Sequence, residues 1–149
     1  MRTMIRQGLL LLALGGALLH ASPGVAQQTP GFLVVVHPEN RVSALTPEEL
    51  SDLFLKRSTR WPDGTAVLPV DQPANSRARE TFSKAVFGRS PTAMVAHWQQ
   101  QIFSGRGVPP PQFETDSAVL EYVASNVGAV GYISATAQLG KVNVVEVGR

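Results

Sequence analysis

Residues 32–54 read FLVVVHPENRVSALTPEELSDLF, and this stretch decides the fold. Phe32–Val36 is an unbroken apolar run rich in Val, the pattern of a buried strand. Thr46-Pro47-Glu48-Glu49 has the form of a helix start. Thr46 can cap, Pro47 suits the first helical position, and Glu49 completes a capping box. Leu50, Leu53 and Phe54 follow at helical spacing and predict a short amphipathic helix.

The rest of the chain continues the alternation. Trp61-Pro62-Asp63-Gly64 is a turn, because Pro fixes one dihedral and Gly permits a positive one. Residues 66–70 predict a second strand. Asn75 or Ser76 caps the next helix, whose apolar positions are Ala78, Phe82, Ala85 and Val86, and Gly88 ends it. Ser90-Pro91 opens a third helix with Met94, Val95, Trp98 and Ile102 facing inward. Residues 105–112, GRGVPPPQ, cannot be helical, since three successive Pro remove donors and fix dihedrals. Thr115 or Asp116 caps a fourth helix with Val119, Tyr122 and Val123 on its buried face, and Gly128 closes it. Residues 129–134 and 142–147 are the last strands. Strands alternating with helices predict an α/β layered domain.

Residues 1–6 carry Arg2 and Arg6 and no acid, and residues 8–19 are dominated by Leu and Ala. Gly24-Val25-Ala26 places small residues where a signal peptidase cuts. Residues 1–26 are therefore read as a secretory signal peptide, cleaved near Ala26, and residues 27–149 as the mature, periplasmic domain. The charge reading changes with them. The 13 Lys and Arg less Arg2 and Arg6 leave 11 bases against the chain's 11 Asp and Glu. A formally neutral domain does not predict a nucleic-acid partner. With no Cys, disulfides, thiolate metal sites and Cys nucleophiles are excluded.

Three stretches carry chemistry. Asn75-Ser76-Arg77-Ala78-Arg79 combines a helix start, a hydroxyl and two guanidinium groups, which suits a small oxyanion. It equally suits an ordinary capped helix with solvated Arg. Ser104-Gly105-Arg106-Gly107 lets successive N–H groups converge beside Arg106, and is also a common way to end a helix. The basic stretch from Lys56 to Arg60 suits an acidic partner or a solvated loop. His37 and His97 lack a third ligand at metal-site spacing, and no metal or cofactor is expected. Neither a G-x-S-x-G elbow nor a G-x-x-x-x-G-K loop occurs, and Glu48 and Glu49 serve a helix start, so no enzyme is expected.

The order of the pieces resembles a known family. His37-Pro38, the helix from Thr46 to Phe54, Arg60-Trp61-Pro62-Asp63-Gly64, Leu68-Pro69-Val70-Asp71, Ser76 before Phe82, and Val127-Gly128-Ala129-Val130-Gly131-Tyr132-Ile133 are similar to the phosphate-binding component of ABC phosphate transporters, in the type 2 periplasmic binding-protein superfamily. The resemblance covers about residues 32–147. It implies a single three-layer lobe with a mixed sheet and about four helices. It also implies an exported, non-catalytic solute-binding protein for phosphate or another small oxyanion, with an ABC permease or periplasmic protein as partner. The family's ligand motif, Arg-x-Asp-Gly-Ser-Gly-Thr, falls on residues 72–78, where only Ser76 is kept. Gln72 stands for its Arg and Ala74 for its Asp. The resemblance thus implies a site of Ser76 with Asn75, Arg77, Arg79 and Arg106 supplying charge and donors, and a homodimer or partner supplying the other wall. A protein-interaction module that has lost its ligand is the alternative expectation.

Overall fold

The computed structural model describes residues 31–148. The expected signal peptide, residues 1–26, lies outside the described residues. Five strands form one mixed sheet: β1 (Phe32–Val36), β2 (Ala44–Leu45), β3 (Leu68–Pro69), β4 (Ala129–Ser134) and β5 (Asn143–Val147). Their order is β2-β5-β1-β4-β3. β1 runs antiparallel to both β4 and β5, while β2 is parallel to β5 and β3 is parallel to β4. The four outer strands therefore point the same way, and β1 is the reversed strand at the centre.

That central position explains the uninterrupted FLVVV. Val34 and Val36 face one hydrophobic cluster with Leu50, Phe54, Phe82 and Tyr132. Val35 faces a second cluster with Val70, Val119, Val123 and Ile133. Both faces are covered, so every position is apolar. On the first face lie α1 (Pro47–Phe54) and α2 (Arg77–Phe82), and on the second lies α4 (Asp116–Ser125). The expected three-layer α/β lobe is the fold observed.

The helix starts follow their sequence signals. Thr46 caps α1, with Glu49 N–H donating to Thr46 Oγ1 at 3.2 Å and Thr46 N–H to Glu49 Oε2 at 2.7 Å. Ser76 caps α2, Ser90 caps α3 (Pro91–Phe103), and Thr115 caps α4. The Trp61 turn also does long-range work. Trp61 Nε1–H donates to the Gly128 carbonyl at 2.8 Å and pins the turn to the start of β4.

Three expectations change. The second strand shortens to Leu68–Pro69, with a single bridge between Arg60 and Ala66 upstream of it. The helix from Arg77 does not stay regular. It widens into a π turn over Ser83–Phe87, where the Gly88 N–H bonds the Ser83 carbonyl. The extra residue rotates Ala85 into solvent and swings Phe87 edge-on against Phe82 at 5.6 Å. In α3 only Pro91, Met94 and Trp98 are buried, while Val95 and Ile102 face outward. This helix packs on the π turn and adds no residue to either sheet-face cluster, so it needs only a narrow inward stripe.

Gly131 sits in β4 where α4 crosses the sheet. A Cβ there would stand 2.7 Å from Val119 Cγ1 and 2.9 Å from Val70 Cγ2. Gly131→Ala should therefore lower the urea unfolding free energy by about 1–3 kcal/mol through overpacking. The m-value should stay unchanged.

Candidate functional site

The carboxyl ends of β2, β3, β4 and β5 lie along one edge of the sheet, and open α/β sheets take ligands at such an edge. The chain leaving β3 there forms a loop from Asp71 to Asn75 and enters α2 at Ser76. β4 ends beside it at Ser134, and Asp116 opens α4 on the opposite face of the sheet.

A polar network fills this corner. The Arg79 guanidinium pairs with Asp71 Oδ2, both side chains being over nine-tenths buried. Arg79 also donates to the Gln72 carbonyl at 2.6 Å. Tyr132 donates its hydroxyl to Asp71 Oδ1, and the Gln72 N–H donates to the same oxygen at 2.9 Å. Around this pair runs a second ring of bonds. Gln72 Nε2 donates to Asp116 Oδ1 at 2.9 Å and to the Tyr132 carbonyl at 3.0 Å. Ser76 donates its hydroxyl to Gln72 Oε1 at 2.6 Å, and the Ser134 N–H donates to Asp116 Oδ1 at 3.1 Å. Aromatic packing fixes the ring of Tyr132, which stacks on Phe82 with centroids 4.0 Å apart.

Burial sets the electrostatics of the corner. It pushes the Asp71 carboxyl above the ordinary range, against the opposing pull of the Arg79 charge, the Tyr132 hydroxyl and the Gln72 N–H. Burial, reinforced by the negative charge of Asp71, also pushes the Tyr132 hydroxyl up, so it remains a donor. At the opposite edge of the lobe the exposed Asp63 is shifted the other way, because the Thr65 N–H donates to its carboxylate at 2.8 Å.

The five expected ligand residues are not gathered into one site. Ser76 and Arg79 meet, the Arg79 N–H donating to Ser76 Oγ at 3.3 Å. Asn75 and Arg77 flank them in solvent. Arg79 is only 2% exposed and its charge is matched by Asp71. It supports the loop from below, where sequence reasoning placed it facing an anion. Arg106 stands in the turn after α3, with its N–H on the Gln101 carbonyl. The residues that sequence reasoning missed are Asp71, Gln72, Asp116 and Tyr132 in their polar roles. A signal for the buried pair was present. Arg79 and Ser83 share the helix face of Phe82 and Val86, where a charged residue demands a buried partner. For metal, no cluster of three or more His, Asp or Glu occurs among the described residues. His37 Nδ1 accepts the Glu39 N–H at 3.1 Å, and His97 packs edge-on against Trp98.

A central reversed strand, both sheet faces covered by helices, and a capped helix start at the carboxyl edge define a three-layer lobe of the α/β class. A family model described as a PBP superfamily domain matches residues 28–147, and the chain belongs to that superfamily. Among solved structures, the fold is similar to a protein described as a phosphate ABC transporter substrate-binding protein with bound phosphate, from Clostridium perfringens. The TM-score is 0.62 and the identity 21%, covering 78% of this chain and 44% of that one. It is also similar to an ABC-type phosphate transport receptor from Vibrio cholerae, with a TM-score of 0.58 and 22% identity, covering 77% of this chain and 45% of that one. The chain thus spans less than half the length of either. At these identities the likeness establishes the fold. No curated protein matches the sequence.

Two outcomes test the network. Asp71→Asn should destabilise the lobe by about 3–5 kcal/mol in urea unfolding, because it leaves a buried guanidinium without its counter-charge. Asp71→Asn combined with Arg79→Met should cost less than the single change. Carbon-detected carboxyl titration should place Asp71 above the other Asp residues. Its folded pKa exceeds the unfolded value, so the native state holds this proton more tightly. Its contribution to stability then falls as pH rises from the ordinary carboxylate range, about 4, through the raised folded value, and is constant above that.

Proposed function

We propose that this chain is an exported, non-catalytic solute-binding lobe that takes a small oxyanion such as phosphate at the start of α2. The observation that carries the reading is the geometry at Ser76. A helix start opens at the carboxyl edge of the sheet, with Asn75 and Arg77 exposed on either side of the Ser76 hydroxyl. In the first turn the N–H groups of Arg79 and Glu80 are bonded to the Ser76 hydroxyl and carbonyl, which leaves those of Arg77 and Ala78 for an anion. The buried Asp71–Arg79 pair holds the preceding loop in place. The superfamily and the phosphate-binding proteins with this fold support the choice of ligand and a periplasmic location.

The affinity follows from the local charges. Arg77 is the cation facing solvent beside Ser76, while Asp116 and Glu80 stand close in the network and on the helix. The Ser76 hydroxyl must also leave Gln72 to meet a ligand. This lobe presents one wall, and a dry enclosed site would need a second wall from a partner, a second copy or further chain. A dissociation constant on the order of 1 mM is expected for the lobe alone. Isothermal titration with phosphate and sulfate should show it, with chemical-shift changes confined to residues 75–79. Ser76→Ala and Arg77→Ala should each weaken it several-fold. Flat heats at 10 mM, about ten times that constant, with no shift at Ser76 would refute the reading.

One observation favours a second reading. The Ser76 hydroxyl, the Gln72 amide and the Ser134 N–H are all engaged within the chain, and Asp116 already places a carboxylate on two of these donors. A corner whose Ser76, Gln72 and Ser134 donors are already engaged by its own side chains suits a lobe whose ligand is another protein, such as a permease subunit or a periplasmic accessory protein.

A further inference from the structure

α3 carries a second stripe that the fold does not use. Thr92, Val95, Ala96, Gln99, Ile102 and Phe103 recur at helical spacing and are all exposed, on the flank beside the buried stripe of Pro91, Met94 and Trp98. The stripe grows more apolar along the helix: Ile102 is 50% exposed and Phe103 is 91% exposed. Val108, 61% exposed, follows in the Gly-rich turn. Scattered exposed apolar residues are ordinary, but a run of them on one helix face marks an interaction surface.

Charge defines what fits it. From Thr81 to Phe113 the chain has no Asp or Glu, and its only Lys and Arg are Lys84, Arg89 and Arg106. Arg89 stands just before α3 and Arg106 just after it, both exposed, and neither forms an ion pair among the described residues. An uncharged apolar strip with a cation at each end is complementary to an apolar strip flanked by carboxylates. A second copy fits poorly, because two α3 helices paired antiparallel about a two-fold axis would set Arg89 against Arg106. A lipid surface also fits poorly, since the polar positions of the strip are Thr and Gln, not the Lys and Arg of interfacial helices.

We propose that the outer face of α3, from Val95 to Phe103 and on to Val108, docks a protein partner through an acidic amphipathic helix. Phe103 and Ile102 enter its apolar face, and Arg89 and Arg106 meet its flanking carboxylates. The proposal rests on the protein-partner reading above and does not involve the Ser76 corner.

A synthetic amphipathic helix with a Leu face and Glu flanks serves as the probe, followed by fluorescence anisotropy with the full chain. A counterpart with the same Leu face and Lys flanks is the control. The Glu peptide should bind saturably and lose affinity as salt is raised, and the Lys peptide should bind at least tenfold more weakly. Ile102→Ser with Phe103→Ser, and separately Arg89→Glu with Arg106→Glu, should each reduce binding roughly tenfold or more. All four side chains are exposed, so unchanged circular dichroism and an unchanged phosphate titration are expected in both variants. Equal binding of the two peptides, no binding of either, or binding indifferent to these substitutions would overturn the proposal. So would self-association in sedimentation that Ile102→Ser with Phe103→Ser abolishes, which assigns the face to a second copy. Binding to phosphatidylglycerol vesicles in place of the peptide overturns it in favour of a membrane.

Discussion

A carboxylate and a guanidinium taken out of water, Asp71 and Arg79, organise this lobe. Desolvating two charges costs several kcal/mol apiece unless their geometry and remaining hydrogen bonds return it. Here Asp71 gains Tyr132 and the Gln72 N–H, and Arg79 gains the Gln72 carbonyl. The pair and its partners come from the loop after β3, from β4 and from α2. A shift of any one of them exposes an unmatched charge, so the three are held in one arrangement.

The same constraint shapes the candidate site. Because Arg79 is anchored inward, the helix start at Ser76 is fixed relative to the sheet edge, with Asn75 and Arg77 left outward. Gln72 connects the inner pair to Asp116 on the opposite face of the sheet. The helix start at Ser76 and the loop before it are therefore already engaged by internal hydrogen bonds. Any ligand there competes with the protein's own side chains. That competition explains why a weak oxyanion site and a protein-docking role are the two readings the corner supports.

α3 obeys a different economy. It meets the rest of the lobe through three buried residues, and the π turn before it sets its direction. Its outward stripe is not needed for folding. Exposed Phe and Ile beside a charge-free helix surface carry a solubility liability that an interface would remove.

The local structure was legible in the sequence wherever a short-range rule decides it. The unbroken FLVVV made a buried strand, Thr46-Pro47-Glu48-Glu49 made a capped helix, and Pro62 to Gly64 made a turn. Each depends on residues within one turn or one strand. Ala85 and the inward stripe of α3 depart from the sequence pattern because a regular 3.6-residue period does not hold across a π turn, and because an apolar stripe does not say which side has a partner. The ion pair was half visible, as a charge on an apolar helix face. Its partner Asp71 and the donors Tyr132 and Gln72 were not, since they lie up to 61 residues apart in the chain. Residue order is thus enough for the helices, most of the strands, the caps and the superfamily. Which polar residues are buried together emerges only in the folded lobe, because burial and pairing belong to positions in space and not to neighbours along the chain.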